Sequence, residues 1–368
     1  MALVQWYIKR DIGHIVYALG RIDEQLYLIR QKIDQYRQTL RTASKLDQLH
    51  QMPRTMPSIA FLVAKTDRVV DDNYQRFSNV MLEQGYSVYI GFIDSLAMET
   101  SQVVADLFHL TERLLTDSPF PSMRSMPLGQ MDNIWVLSLG LRNSFLDKFQ
   151  LLYTLEGQCR IINSLNAIMH FKSKYFLASH GQIFQHPDLF ASTDPQALYR
   201  HMLHAEEREP GQRWIVKPPA GSLGRSVFLI SVKDPNGQVI LETLTGADAD
   251  QYCLLQPYLK EIETGEKRVL IAGGEPVGQY LRRAAKDHRT NRMQGAHLSA
   301  CDLTLEELAY CRQIGKFLVD QGVEFAGLDL AHPWVIEFNV INPGGLVTIE
   351  QLTGVSLCKK IVEQIFRP

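Results

Sequence analysis

No stretch of this 368-residue chain approaches a run of roughly 20 apolar residues, the length needed to span a bilayer, so no membrane span is expected. Cysteine is scarce: Cys159, Cys253, Cys301, Cys311 and Cys358 form an odd set without close pairs. That argues against a disulfide frame or a zinc cluster and for reduced thiols. Charge of one sign is lacking too. A formal net charge of −2 sets up no field that would recruit nucleic acid or a membrane surface. Internal repeats and low-complexity tracts are absent, and composition is ordinary at 45% apolar and 21% charged, which excludes wholesale disorder. The apolar run from Met1 to Ile8 is short and is broken by Lys9-Arg10-Asp11, so a secretion signal is not expected and a cytoplasmic location is.

The most informative segment present is Gly327-Leu-Asp329-Leu-Ala-His-Pro-Trp-Val-Ile-Glu337-Phe-Asn339. Two strand-like runs flank a His-Pro-Trp turn. With the turn centred near Pro333, Asp329 and Glu337 oppose each other across an antiparallel hairpin, with Cβ atoms roughly 5 Å apart. Asn339, two residues on, shares their face, while Ile336, Phe338 and Val340 line the other. Two carboxylates and an amide oxygen on one face suit a hard cation such as Mg²⁺, whose shell leaves room for phosphate oxygens. A solvated face, or a carboxylate paired with Arg, is the alternative.

Residues 8–40 carry apolar positions at Ile8, Ile12, Ile15, Leu19, Ile22, Leu26, Ile29, Ile33, Tyr36 and Leu40. Steps of four and three alternate, as on the seam of a coiled coil. The seam predicts a long N-terminal helix over residues 1–50 that assembles the chain as a homo-oligomer; a long helix packed on the chain's own globular domain is the alternative. A small parallel α/β domain is expected over 55–160: a strand at Ile59–Val63, a helix from Asn73 to Gln84, a strand at Tyr86–Phe92 and another at Ile134–Leu137. Residues 101–116 read as helix and 117–131 as loop. Over 161–368 the pattern is α+β and mostly antiparallel, divided at about 255/256. Strands are expected at Trp214–Lys217 and Ser226–Ile230, with a hairpin over Arg268–Tyr280. Thr304-Leu-Glu-Glu307 forms a capping box that opens a helix ending near Gly322.

Three further motifs bear chemistry. Lys217 precedes a turn holding Gly221, Gly224 and Ser226, whose backbone N–H groups suit phosphate oxygens. The Gly-Lys-Ser/Thr of a Walker loop is missing, and by itself the segment also fits an ordinary hairpin turn. Gln256-Pro-Tyr258-Leu259 leaves a strand with exposed backbone groups of the kind an adenine edge needs. Arg268, Arg282, Arg283, Arg289 and Arg292 crowd one short stretch, either as a solvated loop or as an anion clamp.

In order and spacing these features resemble the ATP-grasp superfamily, and most closely prokaryotic glutathione synthetase. The resemblance is close from Trp214 to Leu357, most specific over Tyr252–Val277, and weaker over 55–213. It implies an ATP-grasp fold behind the small α/β domain. It implies that Lys174 and Lys217 hold nucleotide phosphates under a loop carrying Gly221, Gly224 and Ser226. Gln256, Tyr258 and Leu259 would meet adenine, and Glu266 ribose. Asp329, Glu337 and Asn339 would ligate two Mg²⁺ ions, with Mn²⁺ as the substitute. Arg268, Arg283, Arg289 and Asn291 would surround the γ-phosphate and acyl substrate, and the loop Asn342-Pro-Gly344-Gly345 would receive the amine.

Departures fall on the phosphate loop and on both substrate surfaces. Ala220 and Leu223 replace an Asp and a Gly of the phosphate loop, Leu137–Asn143 replaces an Arg-Lys-Asp-Pro-Pro segment, and Asn342-Pro343 replaces Ser-Pro. The implied activity is ATP-dependent ligation of a small-molecule or peptide carboxylate to an amine through an acylphosphate, releasing ADP. The competing readings are a nucleotide-binding scaffold or sensor, and a ligase that modifies a peptide or protein terminus. The seam itself makes a prediction. In analytical ultracentrifugation the full chain sediments as an oligomer and a chain lacking residues 1–50 as a monomer; two monomers would remove the assignment.

Overall fold

The computed structural model describes residues 56–219, 226–285 and 295–367. The heptad seam of residues 8–40 lies outside them, as do Gly221, Gly224, Arg289 and Asn291.

Strand β1 (Ser58–Val63) is buried from Ile59 onward, as befits a strand covered on both faces. The helix Asn73–Glu83 follows, opened by the Asp72 carboxylate, which accepts from Asn73 N–H at 2.7 Å. Strand β2 (Ser87–Phe92) then pairs parallel with β1. β3 (Ala97–Glu99), β4 (Gln102–Leu110) and β5 (Arg124–Pro127) add antiparallel pairings. β6 (Asn133–Val136) and β7 (Arg160–Ile162) extend the parallel side. The order is β3-β4-β2-β1-β6-β7, with β5 on β4.

This corrects two expectations. Residues 102–110 are strand, not helix, and residues 124–127, inside the expected loop, are strand as well. The apolar run Val103-Val104-Ala105 with Leu107-Phe108 fits either period. Pairing decides it, because β4 lies between β2 and β3 on one side and β5 on the other. The sheet is therefore mixed rather than purely parallel.

The second sheet contains β8 (Phe190–Ser192), β9 (Trp214–Lys217), β10 (Phe228–Ile230) and β11 (Cys253–Pro257) in the order β10-β9-β11-β8. The helix Pro195–Arg208 packs on it through Leu198 and Met202. The third sheet contains β12 (Glu266–Ala272), β13 (Glu275–Arg283), β14 (His297–Ser299), β15 (Phe325–Ala331) and β16 (Trp334–Asn339), ordered β14-β13-β12-β15-β16. Every pairing in these two sheets is antiparallel. The Thr304 capping box forms as expected on the helix Leu305–Asp320, with Gly322 in the left-handed region just past its end.

The first and third sheets share a core. Trp135 of β6 stacks on Phe77 at 4.9 Å, and Phe325 of β15 meets both rings edge-on. Asn163, directly after β7, adds a polar staple at 2% exposure. Its amide N–H₂ donates to the carbonyls of Phe325 and Val340, and its oxygen accepts from the N–H groups of Glu324 and Phe325. Four backbone groups thus depend on one side chain. Asn163→Ala is expected to lower unfolding free energy by about 2–4 kcal/mol, since each buried polar group left unpaired costs ~1–3 kcal/mol. Urea denaturation measures it, and a change below about 1 kcal/mol would show that the staple is redundant.

Candidate functional site

The β15–β16 hairpin places Asp329 directly opposite Glu337, as its sequence predicts. One detail differs. Leu330 pairs with Val335, not Ile336, because the register shifts by one residue beyond Asp329. Ile336 is the extra residue, so Val335 takes the buried place expected of Ile336, beside Phe338. The bulge re-aims the turn while leaving Asp329, Glu337 and Asn339 on one face. Asn339 confirms the shared face by donating its amide N–H to Asp329 Oδ2 at 3.4 Å.

Sheet register carries that face across the domain. Tyr280, Arg268, Asp329 and Glu337 stand opposite one another on four successive strands, and Arg282 stands opposite Glu266. Arg268 grips Asp329 through Nε at 2.5 Å and Nη2 at 3.1 Å, and its Nη1 donates to the Gly344 carbonyl at 2.8 Å. Arg282, 4% exposed, forms ion pairs with Glu266 at 2.5 Å and with Asp329. Burial favours the neutral acid at Asp329, but the two guanidinium charges prevail and hold its carboxyl at about 2. Glu337 is partly open, and its Oε1 accepts from Lys174 Nζ at 2.9 Å. Lys174 opens the helix Lys174–Ala178, with Ser173 capping it.

Lys217 ends β9. Burial first, and then the charge of Lys174, bring its ammonium down to about 8. The Gln256 amide donates to His186 Nε2 at 3.1 Å, while His186 Nδ1 lies 2.8 Å from the Val335 carbonyl. A carbonyl only accepts, so the proton is on Nδ1 and Nε2 is the acceptor. Burial pushes this imidazole down to about 4, which keeps it neutral. Tyr258 N–H is taken by the Arg213 carbonyl at 2.9 Å, and Arg213 lies over the Tyr258 ring. Leu259 begins the turn that leads to Glu266. Ser226, with φ of 55°, stands in the left-handed region. Arg283 is exposed and donates to the Thr264 carbonyl at 3.1 Å, so it is not among the side chains gathered at Asp329.

Two cavities open beside the hairpin. One, about 360 Å³, is lined by Arg142, Lys172, Lys174, Glu337, Asn339 and Asn342. The other, about 260 Å³, reaches Asp72, Tyr74 and Ser138 and shares Asn342 with the first. The loop bearing Arg142 is clamped from below. Asp94 accepts from Leu141 N–H at 2.8 Å and from Lys148 at 2.5 Å, and Lys148 donates to the Leu141 carbonyl at 2.9 Å. At Gly140, with φ of 60°, a Cβ would lie 2.1 Å from the Asp94 carboxylate. Asn342 ties the far loop to the first sheet's helix, donating to Asp72 Oδ2 at 2.8 Å and accepting from Asn73 at 2.7 Å. Gly345, with φ of 135°, starts the helix Leu346–Thr353 against Tyr280.

Sequence reading gave no role to His186, Lys172 or Arg282. Arg282 alone left a trace, as one member of the basic stretch. As for a metal, among the described residues no cluster of three or more His, Cys, Asp or Glu forms a closed centre. The donor set is instead two carboxylates and an amide. Glu337 is partly open, whereas Asp329 is buried and paired with Arg268 and Arg282, the alternative its sequence also allowed; as hard oxygen donors the three still fit a Mg²⁺ shell that phosphate oxygens complete.

Residues 186–354 match the family described as prokaryotic glutathione synthetase, ATP-grasp domain. Glutathione synthetase of Gloeobacter violaceus is 35% identical over 152 residues, covering 41% of this chain and 47% of that protein. The Prochlorococcus marinus enzyme is 24% identical over 249 residues, covering 67% of this chain and 78% of its own. The chain thus spans about half the length of the first of these relatives. Among solved structures, the ATP-grasp ligase PsnB, complexed with precursor peptide PsnA2 and AMPPNP, aligns with a TM-score of 0.52 at 16% identity, covering 86% of this chain and 99% of that one. Residues 186–354 therefore resemble the ATP-grasp domain of prokaryotic glutathione synthetase, and the chain shares its fold with a solved ATP-grasp ligase.

With Lys217 as a phosphate ligand, ATP affinity falls as pH rises through about 8, because the neutral amine attracts no phosphate. Lys217→Met is expected to weaken ATP binding about tenfold or more at neutral pH, a charge-assisted hydrogen bond being worth ~1.5–3 kcal/mol. It should also flatten the pH dependence. Calorimetric titration on both sides of that pH tests the assignment, and an unchanged pH profile in the variant would refute it.

Proposed function

We propose that this protein is an ATP-dependent carboxylate–amine ligase that releases ADP, akin to glutathione synthetase. The observation carrying the proposal is the hairpin face: Asp329 and Glu337 opposed, Lys174 on Glu337, and two cavities meeting beside them. Lys174 and Lys217 would hold the nucleotide phosphates. Gln256, oriented by neutral His186, together with Tyr258 and Leu259 would form the wall for the base, and Glu266 would reach the ribose. Asp329, Glu337 and Asn339 would hold two Mg²⁺ ions, or Mn²⁺, which when bound neutralise charge on the transferring phosphoryl group.

The chain's own groups account for the rest. The cation-rich cavity of Arg142, Lys172 and Lys174 suits the substrate carboxylate, and the cavity reaching Asp72 suits the amine. A carboxylate oxygen attacks the γ-phosphorus, the bond to ADP breaks, and an acylphosphate forms. Arg268 stands beside this transfer, braced by Asp329 and Gly344. The amine then attacks the acyl carbon, a C–N bond forms, inorganic phosphate leaves, and the nitrogen sheds a proton. The loop around Ser226, with Gly221 and Gly224, would keep water from the acylphosphate.

The peptide-terminus reading keeps the same chemistry and enlarges the acceptor. It draws on PsnB, whose structure holds a precursor peptide. Product masses after incubation with amino acids, dipeptides and peptide pools separate the two. A cytoplasmic location fits the use of ATP, and no helix of the described residues is long and apolar enough to cross a membrane.

Glu337→Gln is expected to lower ADP formation at least ~10²-fold with little change in melting temperature, because Glu337 is partly open. Asp329→Asn should also abolish turnover. It should in addition cost about 3 kcal/mol of stability, because it strands two guanidinium groups, one of them 4% exposed. Magnesium-dependent ADP release, with carboxylate–amine pairs supplied, is the assay. Near-normal turnover in Glu337→Gln would reject the proposal.

A further inference from the structure

Arg282 is placed where the nucleotide machinery has no evident need for a second guanidinium. Arg268 already pairs with Asp329 through both Nε and Nη2. Arg282 adds a contact on the same carboxylate and one on Glu266, at 4% exposure. Its Nε is buried with no hydrogen-bond acceptor among the described residues. Packing alone does not ask for such a group, since a buried arginine is costly unless its charge is used.

The charges around it account for its presence. Three carboxylates share this face, Asp329, Glu337 and Glu266. Each has a cation against it: Arg268 and Arg282 on Asp329, Lys174 on Glu337, and Arg282 again on Glu266. Lys217 adds a further positive group that feels Lys174, Glu337 and Glu266. The face is thus neutral or slightly positive, and a divalent ion arriving alone would meet no net attraction. An ion carried by a polyphosphate brings its own negative charge. The cations that repel the bare ion then attract the complex.

Resting on the ligase reading of this hairpin, we infer that Arg282 is a built-in counter-cation that makes divalent-metal binding depend on the nucleotide. It occupies the Asp329 carboxylate until phosphate oxygens supply the charge to draw the metal in. The coupling is electrostatic. Removing one unit of positive charge a few Å from the ligand oxygens changes bare-ion affinity substantially even at an effective dielectric constant of ~20.

The test uses Mn²⁺ and the full chain, followed by electron paramagnetic resonance, with no turnover involved. Without nucleotide, the wild type should leave the Mn²⁺ signal that of the free ion. Arg282→Met should bind Mn²⁺ about tenfold more tightly or better, and Arg282→Met combined with Glu337→Gln should lose that gain. Arg282→Gln, which keeps a polar group in the buried site, serves if Arg282→Met does not fold. With ADP present, wild type and the Arg282 variants should all bind Mn²⁺. If the wild type binds bare Mn²⁺ as tightly as the Arg282 variants, the inference is overturned. It is also overturned if neither Arg282 variant gains affinity while the wild type binds manganese–ADP, and the ligase reading then stands. A wild type that binds no manganese–ADP overturns both.

Discussion

The Asp329 carboxylate, buried between two guanidinium groups, is the constraint on which the site is organised. It stands on β15, an inner strand of the third sheet, and Arg268, Arg282, Glu337 and Glu266 are arranged around it. Arg268 reaches it from one neighbouring strand, Glu337 faces it from the other, and Arg282 reaches it from one strand further out. Burying an anion of this kind is unfavourable unless partners surround it. The partners in turn need fixed strands. The aromatic contacts of Phe77, Trp135 and Phe325, with the four hydrogen bonds of Asn163, supply that rigidity further along the same face of the sheet.

Much of this was legible in the sequence because strands repeat every two residues. The facing of Asp329 and Glu337 followed from the turn position and from alternation, and the apolar residues behind them fixed the inward side. The capping box at Thr304 was equally local. What escaped notice depended on contacts between distant segments. The bulge at Ile336 moved the buried side to Val335, and a hairpin pattern contains no signal for one extra residue. Arg282 and Arg283 are adjacent, so composition could not say which one turns inward; pairing with Glu266 selects Arg282 and leaves Arg283 at the exposed edge. His186 acts on Gln256 from 70 residues away, and nothing near either residue advertises the contact. The run at 102–110 fitted both periods until its neighbours were known.

The proposed nucleotide and substrate sides of the site rest on different supports. Lys217 and Gln256 belong to the second sheet, whereas Asp329, Glu337 and Arg268 belong to the third. The cavities beside Glu337 draw instead on the first sheet's loop and on Asn342. Likeness to prokaryotic glutathione synthetase covers 186–354 and so includes the second and third sheets. The loop of Arg142 lies outside that stretch.

That loop is anchored by a self-contained triangle of Asp94, Lys148 and the Leu141 backbone, with Gly140 giving the anion room to approach. None of the three belongs to the second or third sheet. The side chains at Leu139, Arg142 and Asn143 can therefore change while this foundation and the second and third sheets stay unchanged. On the ligase reading proposed above, such an arrangement is an exchangeable reading head, through which one phosphoryl-transfer engine would be matched to new acids by alteration of a few surface residues.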